Sequence, residues 1–206
     1  VIVSGVGRAA VGGIRFTYEV LVVSVQPIFG SARGGAIVTI SGGGFNHLVN
    51  PLSVAVLGRS CTVVFISSTE ITCASPALFG TKGNFLNWSD PYAIGSVVVL
   101  GARCAAASCL FNYTFYATPE LVSLSPSSGS TGTMLDVFGY RLSLDAAQSS
   151  VTVGGQPCHV TNAVPSGSMV KLSCHLTPNV AGTHSVAVRT PSGLAYSALA
   201  FTYSLE

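Results

Sequence analysis

The chain has 206 residues, and its Lys, Arg, Asp and Glu side chains, 8% of the total, leave a net charge of +2. An average soluble domain carries about 25% charged residues, so either a compositional bias of the source or a surface covered by sugars and neighbouring molecules explains the shortfall; both stay open. No two basic residues are adjacent and the seven acidic ones are scattered, which excludes the Lys/Arg clusters of nucleic-acid binding and a calcium cage.

Taken in chain order, the alternation of apolar and polar residues predicts an all-β chain. Residues 1–19 close on Phe16-Thr17-Tyr18 and read as the C-terminal strands of a preceding unit. A first full unit, 20–116, has strand candidates at 20–26, 36–42, 52–57, 60–66, 70–74, 94–101 and 108–115. A second, 117–206, has them at 119–125, 133–139, 149–154, 157–162, 169–175, 183–190 and 196–203. No helix is expected, since Ala105-Ala106-Ala107 is too short and is boxed between cysteines. The apolar run from Tyr92 to Phe111 is broken by Arg103 and by glycines. Its β-branched Val97-Val98-Val99 suits a sandwich strand better than a membrane helix.

The two units repeat each other. Ser24-Val25-Gln26-Pro27, followed by glycines up to Gly35, returns as Ser123-Leu124-Ser125-Pro126, with glycines up to Gly132. Each opening feeds an alternating strand, Ile37 to Ile40 and Met134 to Val137, that ends on a glycine and an aromatic, Gly44-Phe45 and Gly139-Tyr140. A Gly-x-x-Cys step follows at Gly58 to Cys61 and Gly155 to Cys158. A second cysteine lies just before a proline, at Cys73-Ala74-Ser75-Pro76 and at Cys174 to Pro178. Phe111-Asn112-Tyr113 and Phe201-Thr202-Tyr203 close the units. A period of this kind signals an array of similar domains.

In the order and spacing of these motifs the chain resembles the IPT/TIG domain. The resemblance implies tandem immunoglobulin-like β-sandwiches of the E-set type, as in fibrocystin-like and plexin-type cell-surface proteins. It covers both full units and the tail at 1–19.

The six cysteines fall into three local pairs. Because two pairs recur at matching positions, each bridge is expected to close inside its own unit: Cys61–Cys73, Cys104–Cys109 and Cys158–Cys174. Zinc is not favoured by these spacings, although His159 and His175 flank the last pair; they read as ordinary surface residues. Paired cysteines point to an oxidising, extracellular or cell-surface compartment. Two sequons, at Asn87 and Asn112, agree with it. Alternation places Phe111 and Tyr113 on the core face and Asn112 on the outer face.

No catalytic constellation, cofactor motif or metal cluster stands out. Gly42-Gly43-Gly44 lacks the Lys-Ser/Thr and the helix of a phosphate-binding loop. The expected function is therefore a non-catalytic structural or adhesive segment of a large multi-repeat surface protein. The junctions between units are short and apolar, so a stiff spacer is expected, with neighbouring repeats, other extracellular proteins and N-glycans as partners. The alternatives are the ectodomain stalk of a plexin-like receptor and a carbohydrate-associated module of a secreted enzyme. Pro76 to Ala93, an insertion without counterpart in the second unit, carries Phe79, Lys82, Phe85 and Trp88 and is the candidate contact loop.

Overall fold

The computed structural model describes residues 2–3, 7–8, 20–45, 53–78, 92–99, 102–103 and 107–204. Strands β1 (Ile2–Val3) and β2 (Gly7–Arg8) pair antiparallel. The first unit follows with β3 (Leu21–Gln26), β4 (Phe29–Ser31), β5 (Ile37–Gly43), β6 (Val54–Val56), β7 (Arg59–Ser60), β8 (Thr62–Ile66), β9 (Glu70–Ala74), β10 (Tyr92–Val99), β11 (Ala102–Arg103) and β12 (Leu110–Thr114). The second unit has β13 (Glu120–Ser125), β14 (Ser128–Gly129), β15 (Met134–Tyr140), β16 (Ser150–Val153), β17 (Gln156–Ser166), β18 (Met169–Leu176), β19 (Gly182–Thr190), β20 (Gly193–Leu194) and β21 (Ala200–Tyr203).

In the first unit one layer runs β3-β5-β9-β8 and the other β4-β12-β10-β6-β7, with β11 on β10. The second unit repeats this order. Its β17 stays unbroken, however, pairing β16 through Gln156–Cys158 and β18 beyond, which joins both layers into one continuous sheet. In the first unit the corresponding strand is interrupted at Cys61 into β7 and β8.

Period-2 alternation drives each core. Val38, Ile40, Val54, Val56, Ile71, Val97, Val99 and Phe111 are fully buried in the first unit; Leu135, Val137, Val151, Val153, Leu172, Val188 and Phe201 fill the second. The two sets form separate clusters, so each unit buries its own apolar surface. Cys61–Cys73 and Cys158–Cys174 are bridged within these cores, with Cα atoms 5.7 and 5.4 Å apart. Cys109 is also disulfide-bonded; Cys104 lies outside the described residues.

The closing Phe-x-Tyr motif has a physical reason in both units. The rings of Phe111 and Tyr113 meet edge to face at 4.9 Å, those of Phe201 and Tyr203 at 5.3 Å. Each tyrosine hydroxyl then donates to the segment after the second cysteine, Tyr113 to the Pro76 carbonyl at 2.7 Å and Tyr203 to Thr177 at 3.0 Å. A buried hydroxyl without such a partner would cost about 1–3 kcal/mol.

One repeat correspondence shifts. Strand β3 bulges between Val22 and Ser24 and β13 between Leu121 and Ser123. The bulge pushes a carbonyl against the facing strand, where a Cβ on Gly42 would stand 2.0 Å from the Leu21 oxygen and one on Gly139 2.4 Å from that of Glu120. Gly139 thus matches Gly42, not Gly44 as the motif order suggested. The buried slot of Phe45 is filled by Leu142, while Tyr140 is half-exposed.

Candidate interaction site at the junction between the units

The segment joining the units is folded. Phe115–Ala117 forms one turn of 3-10 helix, and the Thr114 hydroxyl caps it by accepting from the Tyr116 N–H. Buried Thr118 donates its hydroxyl to the Thr114 carbonyl at 2.8 Å and accepts from the Ala32 N–H at 2.9 Å. Arg141 clasps the same segment from the second unit. Its Nε donates to the Thr118 carbonyl at 2.6 Å, its Nη2 lies 3.3 Å from the Glu120 carboxylate, and its guanidinium stands 4.8 Å from the centre of the Phe115 ring.

A second, sequence-distant contact locks the units together. The β19–β20 hairpin of the second unit lies on the loop between β4 and β5 of the first. The Ser31 N–H donates to the Ser192 carbonyl at 2.6 Å and the Leu194 N–H to the Gly34 carbonyl at 2.8 Å. The Ser31 hydroxyl donates to the Leu194 carbonyl and Arg189 Nη1 to the Gly35 carbonyl, both at 2.7 Å. Backbones approach this closely only because side chains are missing. A Cβ on Gly193, whose φ is 123°, would stand 2.4 Å from the Gly34 oxygen.

Two reciprocal extensions build this joint. Residues 32–36 separate Ser31 from Ile37, whereas only 131–133 separate Ser130 from Met134. Val99 pairs with Val54 and already closes its hairpin on Ala102; its counterpart Val188 pairs with Val151, and the hairpin runs on to Thr190 opposite Gly193. The longer loop and the longer hairpin meet. Gly30 to Ala36, Arg33 apart, are consequently buried, whereas Gly129 to Thr133 are half or fully exposed. A cleft of about 280 Å³ opens beside the joint, lined by Arg33, Phe115, Pro119, Glu120, Arg141 and Tyr196.

Of the residues singled out from sequence, Phe79, Lys82, Phe85, Asn87 and Trp88 lie outside the described residues. Asn112 is described and half-buried, between fully buried Phe111 and Tyr113. His159 and His175 face each other across β17 and β18, and the His175 Nδ1 is 3.5 Å from the Gly132 carbonyl. Among the described residues no three or more His, Cys, Asp or Glu gather as metal ligands, and no helix is long and apolar enough to cross a membrane. The joint residues Ser31, Arg141, Arg189 and Gly193 escaped the sequence reading. For Ser31, Arg189 and Gly193 the only signal was the unequal length of loop and hairpin in the two repeats; Arg141, at the linker, had none.

The IPT/TIG domain model matches twice, at residues 21–99 and 119–203. The chain belongs to the IPT/TIG domain family. Human Fibrocystin-L is 29% identical over 90% of the chain, and mouse Plexin-B3 is 30% identical over 75%. The chain spans only 4% and 8% of the length of these two relatives. Among solved structures, the full extracellular region of Plexin A4 superposes over 91% of the chain, and the chain covers 16% of that structure, with a TM-score of 0.46 at 20% identity.

Proposed function

We propose that this IPT/TIG pair is a non-catalytic structural and adhesive segment of a large extracellular or cell-surface protein, acting as a stiff spacer that presents contact surfaces. The observation carrying this reading is the hairpin joint: four hydrogen bonds, two of them between backbones, hold the second unit to the first away from the covalent linker. Intradomain disulfides in both units support the oxidising compartment. Relatedness to Fibrocystin-L and Plexin-B3 favours a surface setting, in which the 76–93 insertion and N-glycans meet other proteins.

The joint is tested by Gly193→Ala, which puts a methyl group against the Gly34 carbonyl and leaves both cores untouched. Small-angle scattering of the wild-type chain should fit one elongated particle, and the variant should broaden the distribution of distances between the units. An unchanged distribution would mean that the hairpin does not set the geometry. A Gly/Ser insertion between Thr118 and Pro119 then separates the linker's share from the hairpin's.

A further inference from the structure

The outer face of the β4-β12-β10 layer differs sharply between the units. In the first, Phe29, Asn112 and Ile94 form one cross-strand row. Leu110 follows on the same face of β12, and Tyr92 and Tyr116 stand at one end, their ring centres 5.9 Å apart. Phe29, Tyr92, Ile94 and Tyr116 are each 47–60% exposed. The same row in the second unit is Ser128, Thr202 and Thr183, with Ala200 in the place of Leu110. There the Thr183 and Thr202 hydroxyls simply bond each other at 3.2 Å.

The apolar face therefore occurs in the unit whose central residue is a sequon asparagine, and the sister face, centred on Thr202, is polar. Contiguous exposed apolar surface of this kind is normally covered. The side chain of Asn112 borders the open side, and its Oδ1 is buried without a hydrogen-bond partner. That side is a groove of about 460 Å³ bordered by Phe29, Tyr92, Asn112, Tyr116, Arg141 and Ser192.

We propose that Asn112 carries an N-glycan whose first N-acetylhexosamine lies flat on Phe29, Ile94 and the Tyr92–Tyr116 pair, as a built-in cover of this face. The attachment takes its sugar from a lipid-pyrophosphate-linked oligosaccharide. The Nδ2–C1 bond forms, the C1–O bond to the pyrophosphate breaks, and the amide loses one proton. A pyranose presents C–H groups on one face and hydroxyls at its rim, so it matches aromatic and aliphatic side chains below and water above. The groove also reaches Arg141 and Ser192 of the second unit, so the sugar sits beside the hairpin joint.

This inference rests on the extracellular reading above, and one experiment separates the two. The full chain with Asn87→Gln is secreted from glycosylating animal cells, with and without Asn112→Thr, which installs the sister unit's residue. Glycopeptide mapping should find Asn112 occupied. Trimming to a single sugar should leave the thermal midpoint unchanged, and Asn112→Thr should lower it by about 4–8 °C. In a Phe29→Ser, Ile94→Thr background the same change should cost nothing. A bare Asn112 in a secreted, disulfide-bonded chain overturns the glycan and leaves the spacer reading intact, as does an equal loss in both backgrounds. A chain retained with reduced cysteines overturns both.

Discussion

The two units share a core and differ on their surfaces. Val54, Val56, Val97 and Val99 are matched by Val151, Val153, Val186 and Val188, and both units end on an edge-to-face Phe/Tyr pair and hold a buried disulfide. The outward residues obey no such match. Edge strand β8 exposes Val64, Phe65 and Ile66, whereas the corresponding stretch of β17 offers Thr161, Asn162 and Ala163. Thr39, Thr72 and Glu70 of the first unit stand where the second has Asp136, Ser173 and Lys171. Burial fixes side-chain volume and alternation, while the outer face answers only to what touches it. The difference in surface therefore lies mainly in the first unit, which has the apolar outer face.

The largest effect should come from breaking one core at a time. Phe111→Ala and Phe201→Ala each remove a fully buried ring, a loss of about 3–5 kcal/mol. Because the clusters are separate, each substitution should lower one denaturant transition and leave the other in place. A single transition that moves equally for both variants would show that the joint couples the units into one cooperative block.

This separation explains which features were legible in the sequence. Long alternating strands such as β5, β9 and β19 are visible because half of their residues are apolar at period 2. The three-residue β4 is not: Phe29-Gly30-Ser31 looks like a turn, and it becomes a strand only by pairing in parallel with β12 from the far end of the unit. The match of Gly42 with Gly139 was legible, since each lies five residues after the matched Ile37 and Met134 without a gap; the aromatic residues Phe45 and Tyr140 drew the motif out of step. The joint was hidden for another reason. Its partners, Ser31 and Leu194, are 163 positions apart, and no local pattern reports a contact of that range.

A smaller effect distinguishes the units at high pH. Burial raises the hydroxyl pKa of both Tyr113 and Tyr203 above the ordinary value near 10, with the larger shift at Tyr113. A raised folded-state pKa means that the unfolded chain loses its proton first. Stability is therefore complete below about pH 10 and falls as pH rises beyond it toward the folded-state value. The first unit should fall more steeply than the second. Tyr113→Phe should flatten that dependence in the first unit alone, at a cost of about 1 kcal/mol at neutral pH for the lost bond to Pro76. Equal alkaline slopes for the two units, followed by circular dichroism with one core weakened at a time, would contradict the larger shift at Tyr113.

The smallest effect tests whether the charged outer face of β15 and β18 stabilises the second unit at all. Asp136 accepts from the Ser173 hydroxyl and lies 3.3 Å from Lys171 Nζ, with the two charged side chains about a quarter to a third exposed. At that exposure water screens most of the attraction, and such pairs contribute about 0–1 kcal/mol. Replacing Lys171 by Gln should cost a few tenths of a kcal/mol at low salt and nothing measurable in 1 M salt, where the screening length falls to about 3 Å. Asp136→Thr, which installs the first unit's residue, should cost somewhat more because Ser173 is buried and loses its acceptor. If both variants are as stable as the parent at low salt, these charges serve to keep the face solvated, and the polarity of the second unit is a property of its surroundings and not of its fold. A loss above about 2 kcal/mol for Lys171→Gln would instead make this face part of the second unit's stability, and the division between matched cores and free surfaces would fail there.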